Sequence, residues 1–343
     1  VGAPNPYILD GYGGGAIAIT AEVVLDPGDS IDLPLDALRN TFGEVVLLDT
    51  LRWTADAQQS VESSDPPTSA VGFVGSAVGI SMRIGDRPMT AGEIPLFTLG
   101  RPAGLDVESM VLGVADDGGT EFLLGGYCSG VWAFDEALQL DANESISLHL
   151  TNKGLLNLPV AVSIAFTGRV GNDLPRSRWV PYTAVWVSPS LDPNVPTANV
   201  PTIVTSTERD LINRAPGTLQ ISSFIGRIVR LGVVGTTLTL NAESTFPSIE
   251  EIIGGLPNTN WFPGAVDSAI LVSMRDSRGN DNVPLDTPFR QVFEPESRSW
   301  VCPHELEPNG YYLVQLTLTP PVVKDTSIQP IVSMTGAWRY DGM

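Results

Sequence analysis

The sequence predicts an all-β chain built from two β-sandwich domains related by internal duplication, with few short helices. Three observations predict it: a segment that occurs twice, stretches in which polar and apolar residues alternate, and 34 Gly with 28 Pro among 343 residues. Glycine and proline place turns and interrupt helices, so this composition suits a chain of many strands. The length accommodates two domains with a hydrophobic core each. Apolar residues at 43% against 17% charged residues mark a globular chain.

Set against each other without a gap, Trp132–Gly168 and Trp300–Gly336 share seven identities: Trp132/Trp300, Leu138/Leu306, Leu148/Leu316, Leu150/Leu318, Thr151/Thr319, Thr167/Thr335 and Gly168/Gly336. Chance gives about two for this composition. Upstream, Ser81-Met82-Arg83 answers Ser273-Met274-Arg275, and Ile94-Pro95-Leu96 answers Val283-Pro284-Leu285. Leu33–Leu38 likewise answers Phe246–Ile252, each reading as a short helix begun by proline.

The repeated segments read as strands. Ser145–Leu150 and Tyr312–Thr319 alternate polar and apolar residues, the period of a half-buried strand. Further strands are expected at Ala16–Leu25, Glu44–Thr54, Val71–Ile84, Phe122–Phe134, Pro159–Gly168, Val180–Val187, Gly226–Leu240, Val266–Met274 and Ile328–Trp338. Helix is expected only at Leu35–Phe42, Thr207–Arg214 and Ser248–Ile253. Pro189, Pro193, Pro196 and Pro201 make the connection between the halves stiff and extended. The expected organisation is an N-terminal segment at 1–13, a first sandwich at 14–175, a crossing segment at 176–215 and a second sandwich at 216–343. A period of about 168 residues exceeds a propeller blade or solenoid rung and fits an eight-stranded jelly roll with generous loops.

Charge narrows the function. The formal net charge is −20, with 39 acidic and 19 basic residues, and the densest basic stretch is Arg176-Ser-Arg178. Such a chain repels phosphate backbones, so direct nucleic-acid binding is not expected. No apolar run reaches the roughly 20 residues of a membrane-spanning helix, and Val1-Gly-Ala-Pro-Asn-Pro does not read as a signal peptide.

Chemistry leaves few traces. With only His149 and His304, a histidine metal site of the kind a two-domain cupin needs is close to excluded. His149 is expected to be solvated on a strand, and His304 to lie in a loop after Pro303. Cys302 stands two residues from His304, but adjacency in sequence means little, because a nucleophile and its base meet through the fold. Cys128 and Cys302, 174 residues apart, read as free thiols unless the two halves bring them together. There is no Gly-x-Ser-x-Gly elbow and no phosphate-binding Gly-x-x-x-x-Gly-Lys loop. The glycine run Gly11–Gly15 lacks a flanking strand and helix. Calcium has two weak candidates on glycine turns, Asp116 with Asp117 and Asp276 with Asn280 and Asp281, and ordinary turns explain both better. Trp53, Trp132, Trp179, Trp186, Trp261, Trp300 and Trp338 offer material for a sugar groove, yet Trp132 and Trp300 occupy matching repeat positions, which suits a core role. Asn143-Glu144-Ser145 is a formal glycosylation sequon. The expectation is therefore a non-enzymatic protein with no catalytic residues and no cofactor.

In length, duplication, strand-rich halves and proline-rich connector, the whole chain resembles the double jelly-roll major capsid proteins of icosahedral double-stranded DNA viruses and phages. The resemblance implies a structural protein of the virion, assembled in the host cytoplasm as homotrimers with a pseudo-hexameric outline that tile a shell. Its implied partners are other copies of itself, other virion proteins and an internal membrane. Two other readings stand beside it: a secreted carbohydrate-binding or carbohydrate-active protein with two β-sandwiches, and an accessory spike or decoration protein of a virion.

Overall fold

A computed structural model describes residues 7–9, 16–33, 38–62, 78–102, 114–115, 121–153, 159–170, 178–189, 202–231, 270–293, 299–318 and 327–340. The first half contains β1 (Tyr7–Leu9), β2 (Ala16–Leu25), β3 (Ser30–Asp32), β4 (Val46–Glu62), β5 (Val78–Ile84), β6 (Arg87–Pro88), β7 (Ile94–Pro95), β8 (Arg101–Pro102), β9 (Val114–Ala115), β10 (Glu121–Leu140), β11 (Ile146–Asn152) and β12 (Val160–Val170). The second contains β13 (Arg178–Val187), β14 (Thr202–Thr205), β15 (Leu211–Ile212), β16 (Leu219–Leu231), β17 (Ile270–Asp276), β18 (Asp281–Pro288), the one-turn helix α1 (Phe289–Val292), β19 (Ser299–Leu306), β20 (Tyr311–Leu318) and β21 (Ser327–Tyr340).

The pairing of these strands repeats one pattern. In the first half β2-β12-β4-β10 form one sheet and β3-β11-β5-β6 the other. In the second half β13-β21-β16-β19 and β14-β20-β17-β18 stand in the same order. Counted along each half, the sheets read one-eight-three-six and two-seven-four-five, which is the strand order of a jelly roll. The chain is all-β, and each half is one such sandwich. Alternation drives the packing: β11 buries Ile146, Leu148 and Leu150 and turns Ser147, His149 and Thr151 outward. Those leucines share a core with Leu48, Leu51, Trp53 and Phe166 of the facing sheet. Burying each such side chain stabilises by roughly 1.5–3 kcal/mol.

Equivalent irregularities establish the duplication more firmly than the strand count. In β12, the register against β4 shifts between Thr167, opposite Thr50, and Gly168, opposite Leu48. In β21, it shifts between Thr335, opposite Ser223, and Gly336, opposite Ile221. Both bulges place a glycine against backbone: a methyl group on Gly168 would meet the carbonyl oxygen of Leu47, and one on Gly336 that of Gln220. Beside each bulge two hydroxyls pair, Thr50 with Thr167 and Ser223 with Thr335.

A second device recurs where the chain enters β4 and β16. Asn40 is fully buried, donates through Nδ2 to the carbonyls of Glu44, Leu140 and Asp141, and accepts the Phe42 N–H on Oδ1. Asn213, equally buried, donates to Gly217 and Leu306 and accepts from Ala215. Each asparagine also receives a backbone bond from a left-handed turn residue, Asn143 at φ 67° or Asn309 at φ 64°. A buried amide satisfied at both ends pins a loop to a hairpin without leaving a polar group unpaired.

These anchors correct the ungapped alignment. Trp132/Trp300, Thr167/Thr335 and Gly168/Gly336 hold, as does Met82/Met274. Between them, Leu140 and not Leu138 is the counterpart of Leu306, because the bulge in β10 spans Ala133 to Leu138 while that in β19 spans Val301 to His304. Leu148 is accordingly matched by Val314, since these two face Met82 and Met274. A slip of two residues keeps every side chain on its face, which is why the leucine pattern did not reveal it. The partner of Pro95 is Pro288, not Pro284: Ile94 lies opposite Ile80 as Thr287 lies opposite Val272. Each proline opens a helical turn, a 3-10 turn at Leu96–Thr98 and α1.

Other expectations shift as well. Leu33–Leu38 falls between the second and third strands of its sandwich, whereas Phe246–Ile252 falls between the third and fourth, outside the described residues, so the two are not equivalent. Leu38 to Phe42 is a turn with a bridge at Arg39, not helix, and Thr207–Arg214 is a turn followed by β15. The Ser248–Ile253 helix lies outside the described residues. Residues 176–215, expected to cross between sandwiches, carry β13, β14 and β15, which pair within the second set. We infer that the boundary between the two units falls between Val170 and Arg178.

Replacing Asn40 or Asn213 by alanine leaves carbonyls unpaired in the core and should cost about 2–4 kcal/mol each, with closely similar losses in urea unfolding. Markedly unequal losses would contradict their equivalence.

Candidate functional site

The seam between the two sandwiches is the most elaborate polar arrangement among the described residues. The final turn of β10 meets β13 in parallel at Leu138 and Trp179, which fuses the two larger sheets into one. Beside it, Thr90 bridges Thr183, with Ala91 N–H donating to the Thr183 carbonyl at 2.9 Å and Thr183 N–H to the Met89 carbonyl at 3.0 Å. Trp338 donates its indole N–H to the Pro88 carbonyl at 3.1 Å. Arg178 and Asp141 pair across the seam at 2.6 Å. Arg87, only 5% exposed, pairs with Glu144 and lies over the Tyr340 ring at 4.9 Å. Burial, and then the nearby Arg178, pull the Arg87 guanidinium below its usual value. Behind the seam Tyr182 accepts from Arg214 N–H and donates to the Ile212 carbonyl, and burial pushes its phenol up to about 12. Such a buried, protonated donor fixes a structural bond.

A second cluster lies on the outer face of β11. His149 Nδ1 stands 2.9 Å from Asp32 Oδ1, and Nε2 stands 3.3 Å from the Thr151 hydroxyl. The order acid, imidazole, hydroxyl resembles a hydrolytic triad. The hydroxyl departs from that order: Thr151 directs its proton to Glu93 Oε2 at 3.1 Å and not to the imidazole. Glu93 is held in turn by Lys153 at 3.2 Å. The Asp32 side chain is 88% exposed, on a face open to water. The cluster is a solvated chain of hydrogen bonds; sequence spacing hid it because Asp32 reaches His149, and Glu93 reaches Thr151, only through the fold.

Asp276 closes the turn before β18. It is 3% exposed, accepts the N–H groups of Arg278 and Asn280 on Oδ1, and accepts the Asn280 side-chain amide on Oδ2. Burial disfavours its charge, but those hydrogen bonds and the neighbouring His304, 3.6 Å away, outweigh burial and hold the carboxyl below its usual value. Asp281 is engaged by Arg275 at 2.7 Å. The Asp276 oxygens are thus engaged by the turn's own donors, and among the described residues no group of three or more His, Cys, Asp or Glu is placed to hold a metal ion. Asp116 and Asp117 lie outside the described residues. His304 sits on β19 opposite Ile221, not in a loop.

The remaining candidates disperse. Trp53, Trp132, Trp186 and Trp338 are buried and line no groove. Trp53 fills the space over Gly130, whereas its counterpart Gly226 makes room for Phe289 and Phe293, so one core is filled from a strand and the other from α1. Trp261 and Gly11–Gly15 lie outside the described residues. Cys128 is on β10 and Cys302 on β19, with β13, β21 and β16 between them. Four strand spacings of about 4.8 Å exceed the reach of a disulfide. Asn143 of the sequon forms a tight turn and accepts from Arg39.

No protein-family model matches the chain, and none of the curated proteins matches it. Solved structures do resemble it. The major capsid protein of bacteriophage PM2 is 10% identical, with a TM-score of 0.38 over 94% of this chain and 100% of that one. PBCV-1 VP54, fitted into a reconstruction of the virophage Sputnik, is 9% identical, with a TM-score of 0.46 over 97% and 96%. A chain of Sulfolobus turreted icosahedral virus is 12% identical, with a TM-score of 0.35 over 93% and 90%.

Because the folded carboxyl of Asp276 is depressed, its contribution to stability is present above the unfolded value of about 4 and is lost as the pH falls through the lower folded value. Asp276→Ala should therefore destabilise at pH 7 by about 1–3 kcal/mol, and the gap to the parent should narrow below pH ~4 in denaturant titrations.

Proposed function

We propose that the chain is a structural shell protein, a major capsid protein whose trimers form pseudo-hexameric capsomers of an icosahedral virion. The observation that carries this reading is the fusion of two jelly rolls, side by side, through one shared sheet. A chain with two similar outlines presents twice as many similar edges as it has copies, so three copies in a ring offer six. Closed rings of this kind bury apolar surface and satisfy strand edges together.

The polar clusters support the same conclusion. Two of those described hold a turn or the seam, and in the third, which has a triad-like order, the Thr151 hydroxyl donates to Glu93 and not to the imidazole. The carbohydrate reading loses its main support where four tryptophans are buried. The acidic surface suits contact with other shell proteins or a membrane-lined interior more than bare genome.

Sedimentation velocity tests the reading. The expected species has three times the 36.5 kDa chain mass and persists on dilution, whereas a monomer at every concentration would overturn it.

A further inference from the structure

We propose that the segment Val283–Leu285 and the outer edge of β19 dock on β2 of a second copy, repeating between chains the seam that β10 and Met89–Ala91 make with β13 within one. The proposal deepens the capsomer reading and rests on it.

The internal repeat supplies the template. Met89 donates to the Met82 carbonyl, and Val283 lies opposite Met274, the counterpart of Met82. Thr90 and Ala91 therefore correspond to Pro284 and Leu285. The next residues, Gly92 at φ 132° and Asp286 at φ 61°, both have positive φ, and the first segment is one residue longer before Ile94, the counterpart of Thr287. On the receiving side, Thr183 lies opposite Thr335 as Ala18 lies opposite Thr167. The Thr90–Thr183 bridge within the chain thus translates to Pro284 of one copy against Ala18 of the next.

Exposure fits this translation. Ala91 is half-buried beside β13, while Leu285 at the same step is 70% exposed, the highest value among the exposed large apolar residues described. β19 ends its sheet with no outer partner among the described strands, whereas β10 also pairs with β8 and β9 and, at Leu138, with β13. On the other side of the molecule, the three-residue β1 is the partner on the outer edge of β2 among the described residues, Tyr7 opposite Ala18. Tyr7 thereby takes the backbone position that Thr90 takes on Thr183. Docking exchanges β1 for the neighbour's Val283–Leu285, which replaces one short strand by a segment backed by a whole sandwich. The contact is head-to-tail, so it closes into a ring or grows open.

The experiment is cross-linking of the full chain carrying Ala18→Cys and Pro284→Cys with a short bis-maleimide, beside each single variant and the parent, which controls for Cys128 and Cys302. The expected result is a covalent ladder ending at three chains, in the double variant alone. Leu285→Asp, on an exposed turn that folding does not need, should weaken association about tenfold or more by sedimentation with unchanged thermal unfolding of the dissociated chain. A double variant that sediments as a trimer yet cross-links no more than the singles would overturn the docking and leave the capsomer reading standing. A ladder ending at another number would uphold the docking and overturn the count of three. A monomer without cross-links would overturn both.

Discussion

An open β-sheet leaves backbone donors and acceptors unpaired along its outermost strands, and the layout of this chain follows from where those edges go. Each sandwich has the same two edges in its larger sheet. Within the chain, β10 pairs with β8 and β9 and, at Leu138, with β13, so the end of one edge from each sandwich is joined in the seam. The side chains gathered there flank two short backbone pairings: Arg178 with Asp141, the Trp338 indole with Pro88, and Arg87 wedged between Glu144 and Tyr340. A buried guanidinium is costly on its own; its placement at this junction gives the two sandwiches one relative arrangement where apolar contact alone would allow several.

The same logic explains why the halves diverged where they did. Positions that set backbone geometry are kept: the bulge glycines, the hydroxyl pairs and the buried asparagines. Positions that only fill volume drift in compensating ways, as with Trp53 against Gly226 backed by Phe289 and Phe293. Close-packed interiors tolerate exchange of volume between neighbours more readily than a changed backbone path.

Much of the fold was readable from residues. Alternation located most strands within a few positions, and the matches at Trp132, Met82, Thr167 and Gly168 signalled the duplication. Register was not readable, since Leu138 and Leu140 both face the core and a two-residue slip looks the same in sequence. Asn40 and Asn213, the best markers of equivalence, carry no local pattern, because their roles depend on carbonyls about a hundred residues away. The proposed docking surface was readable least of all. Leu285 is one apolar residue among many until the pairing of β17 and β18 aligns it with Ala91.

The central claim is that one chain carries two equivalent sandwiches whose remaining edges belong to further copies. Electron cryo-microscopy of the purified oligomer tests it most directly. Class averages viewed down the ring should show six lobes of nearly equal shape arranged by threefold symmetry. A particle with two lobes, or with lobes of dissimilar shape, would contradict the account.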